Sequence, residues 1–366
     1  MDKKTKWRLL FAFVVIISLI FASVAFAETK SEKKVINWRG SSGWTPTDPH
    51  HWVALRWAER VEKLSAGRMK IKLFSAGELV PPFEVRQAVE AGSIDCAHAW
   101  SGFYMGKDMS NLLLASTPAF LDNTGYLVWL IGAGGVDYLQ EIVGKNLKAF
   151  CAGLIPLELG VYTHRELNKL SDFKGLKLRG PLHMVDVYSK FGASGVFIPP
   201  GEIVSSFRRG VVDAAEYSNP TSDVAIGIHE VAKYQYMPGL QQTGHTIELI
   251  INKNKWNELA PDLKEIVKVS LEAEVYADYS RWYYNDLKNI KKIEAKTQVR
   301  KFSPEIQNAM INAYIENFEK YASNNKMFAK IWSSMKKFMV EYYHYHDLQT
   351  ADWKDKNIWL KKWAKE

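Results

Sequence analysis

The sequence predicts an α/β fold built as two domains, and three observations support this prediction. Short apolar strand-like runs alternate with helical patterns along most of the chain, which is the signature of α/β architecture. Of the 366 residues, the 339 that follow Ala27 are enough for two hydrophobic cores. Two distant segments also share one short pattern, as expected for one similar unit in each domain.

The N-terminus has the features of a secretory signal peptide. A basic segment, MDKKTKWR, precedes an apolar run that closes on the small-x-small sequence Ala25-Phe26-Ala27. We therefore predict that residues 1–27 are a cleaved signal peptide. An uncleaved membrane anchor is the alternative, because Leu9 to Ala27 is nearly long enough to span a bilayer. No cysteine follows the apolar run, which argues against a lipid anchor.

Charge and cysteine content exclude two classes of protein. The formal net charge is +8, and it falls to +5 without residues 1–27, which hold four basic residues and one acidic residue. This mild basicity, without a clustered Lys/Arg patch, gives no reason to expect a nucleic-acid partner. Cys96 and Cys151 both lie in apolar strand-like runs, and two cysteines do not make a disulfide scaffold. Two buried free thiols are favoured over one bridge.

The first predicted elements follow the chain in the order strand, helix, strand, helix. Residues 35–42 read as a strand, and Asp48 then caps a helix that has Pro49 at its first position and ends at Gly67. MKIKLF, residues 69–74, alternates as a second strand. The second helix starts at Pro81-Pro82 and stops at Gly92.

The shared pattern joins AVEAGSIDCAHAWS (residues 88–101) to FRRGVVDAAEYSNP (residues 207–220). In both, a helix ends at a glycine that turns the chain tightly into a strand. The matched positions are Gly92 with Gly210, Asp95 with Asp213, and His98 with Glu216. Because ligands of open α/β sheets bind beyond the carboxyl ends of strands, the two units should face each other across a cleft.

The last third of the chain is predicted to be mostly helical. One amphipathic run extends from Pro261 to about Lys292, long enough to cross both domains. Residues 325–366 form a helical C-terminal tail rich in aromatic side chains. This tail packs either onto the body of the protein or onto a second subunit, and its sequence does not decide between them.

The sequence contains none of the enzyme motifs considered, but one arginine and three glutamates lie at unusual positions. The chain has no G-x-S-x-G, H-E-x-x-H or Gly-rich phosphate loop, and the histidine pairs His50-His51 and His344/His346 lack metal-ligand partners. Arg179 ends a short predicted strand in DFKGLKLRGP. Its side chain is either a solvated charge at the strand end or is directed into a cleft, where it holds a carboxylate. A carboxylate inside an apolar strand is costly unless it is paired or bound to a metal. Three glutamates have this position: Glu158, Glu216 and Glu248.

Several motifs together resemble a known family. SAGRMKIKLFSAGELV, KGLKLRGP, RRGVVDAAEYSNP and HTIELIIN are similar to the solute-binding proteins of tripartite ATP-independent periplasmic (TRAP) transporters. The resemblance runs from about Asn37 to about Val340. ELVPPFEVRQAVEAGSID and the Y-x-Y-x-P-G sequence at residues 234–239 resemble in particular the members that bind 2-oxo acids or lactate together with a cation.

The resemblance implies two α/β domains with an organic-acid cleft between them, a long domain-spanning helix and the helical tail. The expected domains are residues 28–152 with about 246–275, and residues 153–245 with about 298–324. Arg179 matches the family's carboxylate-binding arginine, whose guanidinium fits two carboxylate oxygens. The apolar cleft walls are expected at Trp44, Trp100, Phe103 and Tyr104, and Asn219 is a further ligand-binding candidate.

The resemblance also implies a cation between protein and ligand. The matching ligand positions are Glu158, Glu216, the backbone carbonyl of Tyr217, and Glu248. This chain has Glu158 where the branch carries Gln, and the added carboxylate favours Ca²⁺ over Na⁺. Glu158 receiving an amine or hydroxyl of the ligand is the alternative.

The expected function is to capture a small 2-oxo or 2-hydroxy acid, such as pyruvate or lactate, in the periplasm and deliver it to a membrane permease. A secreted metal-dependent enzyme acting on carboxylates and a binding subunit of a sensor are the alternatives. A homodimer formed through the tail is a further expectation.

Overall fold

The computed structural model describes residues 2, 4, 5, 7 and 35–349, and in this part of the chain it confirms the α/β prediction. The predicted signal peptide and residues 350–366 of the tail lie outside the described residues. Eleven strands occur here: β1 Ile36–Ser42, β2 Met69–Phe74, β3 Cys96–Ala99, β4 Leu147–Ile155, β5 Val161–Thr163, β6 Lys177–Arg179, β7 Ser194–Val196, β8 Ala214–Ala215, β9 Tyr234–Met237, β10 His245–Asn252 and β11 Gln298–Lys301.

Twelve α-helices accompany these strands in the same part of the chain: α1 Pro49–Leu64, α2 Val85–Glu90, α3 Asn111–Ala115, α4 Asn123–Leu127, α5 Gly135–Val143, α6 Leu182–Ser189, α7 Ile203–Arg208, α8 Pro220–Ile226, α9 Lys253–Glu258, α10 Pro261–Glu294, α11 Pro304–Asn324 and α12 Lys326–Gln349. Short 3-10 turns lie at Pro82–Glu84, Ser101–Tyr104, Leu170–Phe173, Pro200–Glu202 and Ile228–Glu230, and a π turn at Val128–Gly132. No described helix has the length and apolar character needed to span a membrane.

The strands form two sheets. The first has the order β2-β1-β3-β10-β4, with β1, β2 and β3 parallel and β10 antiparallel to both its neighbours. The second has the order β11-β9-β5-β8-β6-β7, with β5 antiparallel to β8 and β9 and the remaining pairs parallel. Each sheet is therefore mixed, with one reversed strand near its middle.

Helix α1 shows how local sequence fixes the first half of the molecule. The Asp48 side chain accepts from the His50 backbone N–H at 2.9 Å, and Pro49 fills the first helical position. Val53, Trp57 and Val61 are buried, and Trp57 Nε1 donates to Ser270 Oγ of α10 at 3.0 Å. Each large apolar side chain buried in this way contributes about 1.5–3 kcal/mol.

The two sheets are joined by two short crossing segments and by the long helix. Residues 156–160 connect β4 to β5, and residues 238–244 connect β9 to β10. Helix α10 packs against β4 and α1 of the first half and against α8 and β11 of the second. The predicted domain-spanning helix is thus confirmed. The predicted boundaries near residues 152 and 245 fall beside these crossings, and the division into domains stays a prediction.

The repeated pattern is built in the same way in both halves. Gly92 and Gly210 both have a left-handed φ, 75° and 69°, after a helix. Each following aspartate then holds a neighbouring strand: Asp95 accepts from the Arg39 N–H at 2.7 Å, and Asp213 from the Lys177 N–H at 3.1 Å. The two units thus deliver the ends of β3 and β8 in the same manner.

The described part of the tail packs onto the body of the protein. Helix α12 lies against α11, α3 and α5. The Trp332 ring is 5.0 Å from the Phe120 ring, and the Tyr343 hydroxyl donates to the Phe120 carbonyl at 2.5 Å. The aromatic residues Trp353, Trp359 and Trp363 lie outside the described residues.

Candidate ligand-binding site

A small cavity lies between the two sheets, at the carboxyl ends of β3, β6 and β8. Its volume is about 40 Å³. Since one water molecule needs about 10–15 Å³ of such volume, the cavity has room for about three water molecules or a small ligand. The lining residues come from both halves of the molecule: Trp44, His50, Trp100, Phe103, Glu158, Arg179, Phe197, Pro200, Glu216, Tyr217, Ser218, Gln242, His245 and Ile247.

Arg179 is a buried side chain of this cavity, with 3 % of its surface exposed. The solvated-charge interpretation is therefore wrong. Its Nη1 donates to the Glu216 carbonyl at 2.5 Å and to Glu216 Oε1 at 2.7 Å, while Nε and Nη2 donate to the Ile198 carbonyl at 3.2 and 3.1 Å. These bonds use four of the five guanidinium N–H groups and leave one Nη2 hydrogen for a ligand.

Two buried glutamates lie beside Arg179. Glu158 is on the first crossing segment, where its Oε1 accepts from Gln242 Nε2 at 2.9 Å and its Oε2 from Gln241 Nε2 at 3.4 Å. Glu216 follows β8, and its Oε2 has no hydrogen-bond partner among the described residues. Both acids are at least 96 % buried, and among the described residues Arg179 is the one arginine that forms an ion pair with either of them.

This burial controls the ionisation of the two acids. Burial raises the pKa of Glu216 to about 7, and the Arg179 guanidinium opposes that rise. Burial raises the pKa of Glu158 well above its ordinary value too, and the Glu216 and Asp223 carboxylates raise it further. At neutral pH the pair therefore retains a proton, unless a cation replaces it.

Aromatic side chains form much of the remaining cavity wall. Trp44, Trp100 and Phe103 line the cavity at the positions expected from the sequence, and Phe197 joins them from the second half. The Phe197 ring stacks on Phe83 at 5.0 Å and lies 5.2 Å from the Arg179 guanidinium. A ligand in this cavity meets charged groups, amide groups and aromatic rings.

Three predicted site residues do not line the cavity. Glu248 accepts from Arg86 Nη2 at 2.8 Å and from the Ser101 hydroxyl, so this carboxylate is already paired inside the first half. The Tyr104 ring lies under the Arg86 guanidinium, 3.7 Å away. Asn219 caps α8, accepting from the Ser222 N–H at 3.2 Å and donating to Asp286 at 3.0 Å. The three glutamates thus do not converge.

The geometry of strand β10 explains why Glu248 does not line the cavity. His245 and Ile247 of β10 line the cavity, and the pairing of β10 with β4 shifts register between Ile247 and Glu248. Adjacent residues of a strand point to opposite faces, so Glu248 points toward Arg86 instead. A carboxylate in an apolar strand was expected to be paired or bound to a metal, and Glu248 is paired with an arginine of the same half.

Sequence reasoning missed several lining residues: His50, Phe197, Pro200, Ser218, Gln242, His245 and Ile247. Gln242 was not predicted because the only side chains considered as cation ligands were carboxylates. Its position on the second crossing segment was the available signal, since both crossings run past the cleft. His50 was considered only as a metal ligand and set aside, and it is a buried residue of the cavity wall.

The donor set around Glu158 and Glu216 fits a hard cation. Carboxylate, amide and backbone carbonyl oxygens are the ligands that Ca²⁺ and Na⁺ use in proteins. The available groups are the two carboxylates, the Gln242 side chain and the Tyr217 carbonyl, which accepts no bond among the described residues. No group of three or more His, Cys, Asp or Glu residues suited to a metal ion occurs in the described part of the chain, and Glu248 supplies no third carboxylate.

Cys96 and Cys151 are both free, Cys96 fully buried and Cys151 partly so. Burial raises the pKa of the Cys151 thiol to about 11. Neither cysteine lines the cavity.

Residues 40–325 match the model of the family named bacterial extracellular solute-binding protein, family 7. A monocarboxylate 2-oxoacid-binding periplasmic protein of Nostoc sp. is 32 % identical over 308 residues, which cover 83 % of this chain and 84 % of the relative. Among solved structures, a TRAP solute-binding protein of Bordetella bronchiseptica aligns with a TM-score of 0.83 and 26 % identity, covering 86 % of this chain and 95 % of the other. It is a mixed-occupancy dimer with calcium and picolinate in the occupied site.

A TRAP solute-binding protein of Pseudoalteromonas atlantica, solved with sodium and pyruvate, aligns with a TM-score of 0.81. It is 25 % identical, and the match covers 86 % of this chain and 97 % of that chain. Similar proteins thus hold a small carboxylate with either of the two cations.

Proposed function

The chain belongs to bacterial extracellular solute-binding protein family 7, and we propose that its cavity captures a small 2-oxo or 2-hydroxy monocarboxylate together with a cation. It is a TRAP transporter solute-binding protein, so the captured acid is destined for a membrane permease. The family consists of transport proteins, and the secreted-enzyme alternative is therefore wrong. Its members are periplasmic; cleavage after Ala27 stays a prediction.

One observation carries this proposal: Arg179 and two buried glutamates lie side by side in the cavity between the two sheets. A buried guanidinium attracts a carboxylate, and a pair of buried carboxylates attracts a cation. A ligand and a cation bound together satisfy both needs at once. The aromatic rings in the cavity wall suit the short carbon skeleton of such an acid.

The cation ligands that we propose are Glu158, Glu216, Gln242 and the Tyr217 carbonyl. Gln242 takes the place first expected for Glu248, because it lies 2.9 Å from Glu158 whereas Glu248 is paired with Arg86. When bound, the cation supplies positive charge to the two carboxylates and to the oxygens of the acid. Two carboxylates favour Ca²⁺ over Na⁺.

Arg179 is the proposed partner of the ligand carboxylate. In the described geometry Nη1 is occupied by Glu216, so a two-pronged contact requires Glu216 Oε1 to release this nitrogen. Glu216 can do so when it turns toward a cation. The arginine and Glu216 are thereby linked: each changes partner when the site is filled.

Closure of the two halves on the ligand is a further part of the proposal. The cavity wall draws residues from both sheets, and the Tyr217 hydroxyl of the second half donates to Asp48 of the first. Contacts from both sides favour the closed arrangement once a ligand is present. Small-angle scattering should give a smaller radius of gyration with bound ligand, and identical curves at confirmed saturation would contradict closure.

We also propose that the protein forms a homodimer through its C-terminal tail. The Bordetella relative is a dimer, and the exposed residues of α12 include Val340 and Leu348, each 74 % exposed. Light scattering on the chain without residues 1–27, and on the same chain ending before Trp353, should give a dimer and a monomer respectively. A monomer in both would remove the dimer.

The direct test uses the chain without residues 1–27, freshly purified and then denatured. Mass spectrometry of the released small molecules should find a short 2-oxo or 2-hydroxy acid, and elemental analysis should find about one calcium per chain. Calorimetry with pyruvate in calcium-containing buffer should show binding to the stripped and refolded protein. Absence of binding for pyruvate and both lactate enantiomers, with Ca²⁺ or Na⁺, would reject the proposed ligand class.

A further inference from the structure

His50 is a polar residue in the aromatic wall, and the proposed function gives it no task. Its side chain is 4 % exposed and lines the cavity. The ring is stacked on Trp44 with 4.9 Å between centroids and meets the edge of Trp282 at 4.8 Å. The position of the imidazole is therefore fixed from both faces.

Asp48 determines which nitrogen of His50 carries the proton. His50 Nδ1 lies 2.7 Å from Asp48 Oδ1, and a carboxylate only accepts hydrogen bonds. Nδ1 must therefore donate. The other carboxylate oxygen accepts from the Tyr217 hydroxyl, so both oxygens of Asp48 are occupied in the closed arrangement.

The remaining nitrogen, Nε2, is left for the cavity. It makes no hydrogen bond in the described part of the chain, and it is not one of the unpartnered atoms sealed inside the protein. In the neutral ring with its proton on Nδ1, Nε2 is a hydrogen-bond acceptor. It can accept from a hydroxyl, but it repels the lone pairs of a keto oxygen.

We propose that His50 is a specificity-determining ligand contact whose Nε2 accepts a hydrogen bond from the hydroxyl of a 2-hydroxy acid. Asp48 is the positioning residue that holds the ring in this tautomer. The chain then favours a 2-hydroxy acid over the 2-oxo acid with the same carbon skeleton. This inference rests on the proposed function, since it concerns the same cavity.

The second half contributes to this preference through Tyr217. Its ring lies edge-on to His50 with 6.3 Å between centroids, and its hydroxyl reaches Asp48 only because the two halves are together. The contacts that orient His50 are therefore complete only when the two halves of the molecule are together. A ligand that satisfies Nε2 stabilises the closed arrangement more than one that leaves it without a partner.

The test compares lactate with pyruvate by calorimetry at pH 8 in calcium-containing buffer. Both lactate enantiomers are measured. The unmodified chain should bind one lactate enantiomer more tightly than pyruvate. In His50→Phe, the affinity for that enantiomer should fall about tenfold, the value of one hydrogen bond to a buried group, while the affinity for pyruvate changes less than about twofold.

Two further variants separate a specific contact from damage to the wall. His50→Gln keeps an acceptor oxygen and should restore part of the preference. Asp48→Asn keeps the helix cap but no longer fixes the proton on Nδ1, and it should reduce the preference without abolishing binding. His164→Phe is the matched control, because His164 packs on Phe207 away from the cavity and should leave both affinities unchanged.

The outcomes are distinguishable. Equal losses for lactate and pyruvate in His50→Phe, or no preference in the unmodified chain, would overturn the role of His50 while leaving the proposed function intact. Failure of the unmodified chain to bind any of the three acids, with Ca²⁺ or Na⁺, would instead reject the proposed function.

Discussion

Arg179 donates from one nitrogen, Nη1, to both the backbone carbonyl and the carboxylate of Glu216, at 2.5 and 2.7 Å, inside the protein. The residue expected to hold a ligand carboxylate thus already holds a protein carboxylate. Since a guanidinium has a fixed planar fork, the ligand and Glu216 compete for the same hydrogens. In the proposed site the ligand carboxylate therefore replaces Glu216 as a partner of Arg179, because the guanidinium is not free beforehand.

The first prediction concerns this fork. Arg179→Lys keeps the positive charge but should weaken pyruvate binding by at least about tenfold, because an ammonium cannot serve Glu216 and a ligand in one plane. The loss corresponds to roughly 1.5–3 kcal/mol for one charge-assisted bond. Calorimetry in calcium-containing buffer measures it.

Arg300→Lys is the matched control, since Arg300 forms a partly exposed ion pair with Glu166 far from the cavity. Its affinity for pyruvate should equal that of the unmodified chain. An unchanged affinity in Arg179→Lys would remove this arginine from the ligand contacts.

The second prediction is a pH dependence. Because the pKa of Glu216 is raised from 4.5 to about 7, the folded empty protein retains a proton that the unfolded chain has already lost. The stability of the empty protein should therefore decrease as the pH rises from about 4.5 to 7. Binding of a cation requires the ionised carboxylate, so affinity should rise across the same range.

Thermal unfolding between pH 5 and 8, with and without Ca²⁺ and pyruvate, checks both directions. Histidines of the unfolded chain also titrate in this range, because burial lowers the pKa of His98 and His183 in the folded protein. The comparison with Glu216→Gln therefore isolates the contribution of this acid. The variant should lose the decrease in stability of the empty protein. If its pH profile coincides with that of the unmodified chain, the raised pKa of Glu216 has no measurable effect.

The third prediction tests whether Glu248 contributes to stability and not to cation binding. Glu248→Ala leaves the mostly buried Arg86 guanidinium without its carboxylate, and breaking a buried pair costs about 3 kcal/mol or more. Asn111 still accepts from Arg86 at 2.9 Å and offsets part of this loss. Urea unfolding of the empty protein measures the change. The milder Glu248→Gln should keep full cation-dependent binding, and loss of that binding would return Glu248 to the cation ligands.

The fold could be predicted well because local and global signals agree. The Asp48-Pro49 start, the alternation in residues 69–74 and the repeated Gly-x-x-Asp units each specify local geometry that the structure reproduces. Helix α10 was predicted over nearly its full length, because Pro261 marks its start and apolar residues recur along one face.

The site could be predicted only in part, because it is assembled from segments far apart in the chain. Arg179 ends β6, Glu216 and Tyr217 directly follow β8, and such positions at strand ends can be recognised from sequence. The pairing of Glu248 with Arg86 could not be predicted, since it depends on which face of β10 lines the cavity and on where a residue far away in the chain is placed. Gln242 and His50 depend on the crossing segment and on the fit of two halves, which no local pattern encodes.

The last prediction concerns the cation. Glu158 and Glu216 with a ligand carboxylate carry three negative charges against the single positive charge of Arg179, which leaves two uncompensated. Two like charges about 4 Å apart repel by about 4 kcal/mol at an effective dielectric of about 20. One divalent cation removes this excess completely, whereas a proton or Na⁺ removes half of it. Exhaustive chelation in sodium-free buffer should therefore weaken pyruvate binding by at least about tenfold, and Ca²⁺ should restore it.

Glu158→Gln removes one of the two carboxylates and should shift the preference from Ca²⁺ toward Na⁺, while Glu248→Gln, the matched control, should keep the preference of the unmodified chain. Calorimetry with pyruvate in buffers containing Ca²⁺, Na⁺ or neither measures all three proteins. Full affinity of the unmodified chain after chelation would show that the acid binds without a metal. In that case a proton on the buried glutamates offsets half of the excess charge, and Glu158 meets a donor group of the ligand itself.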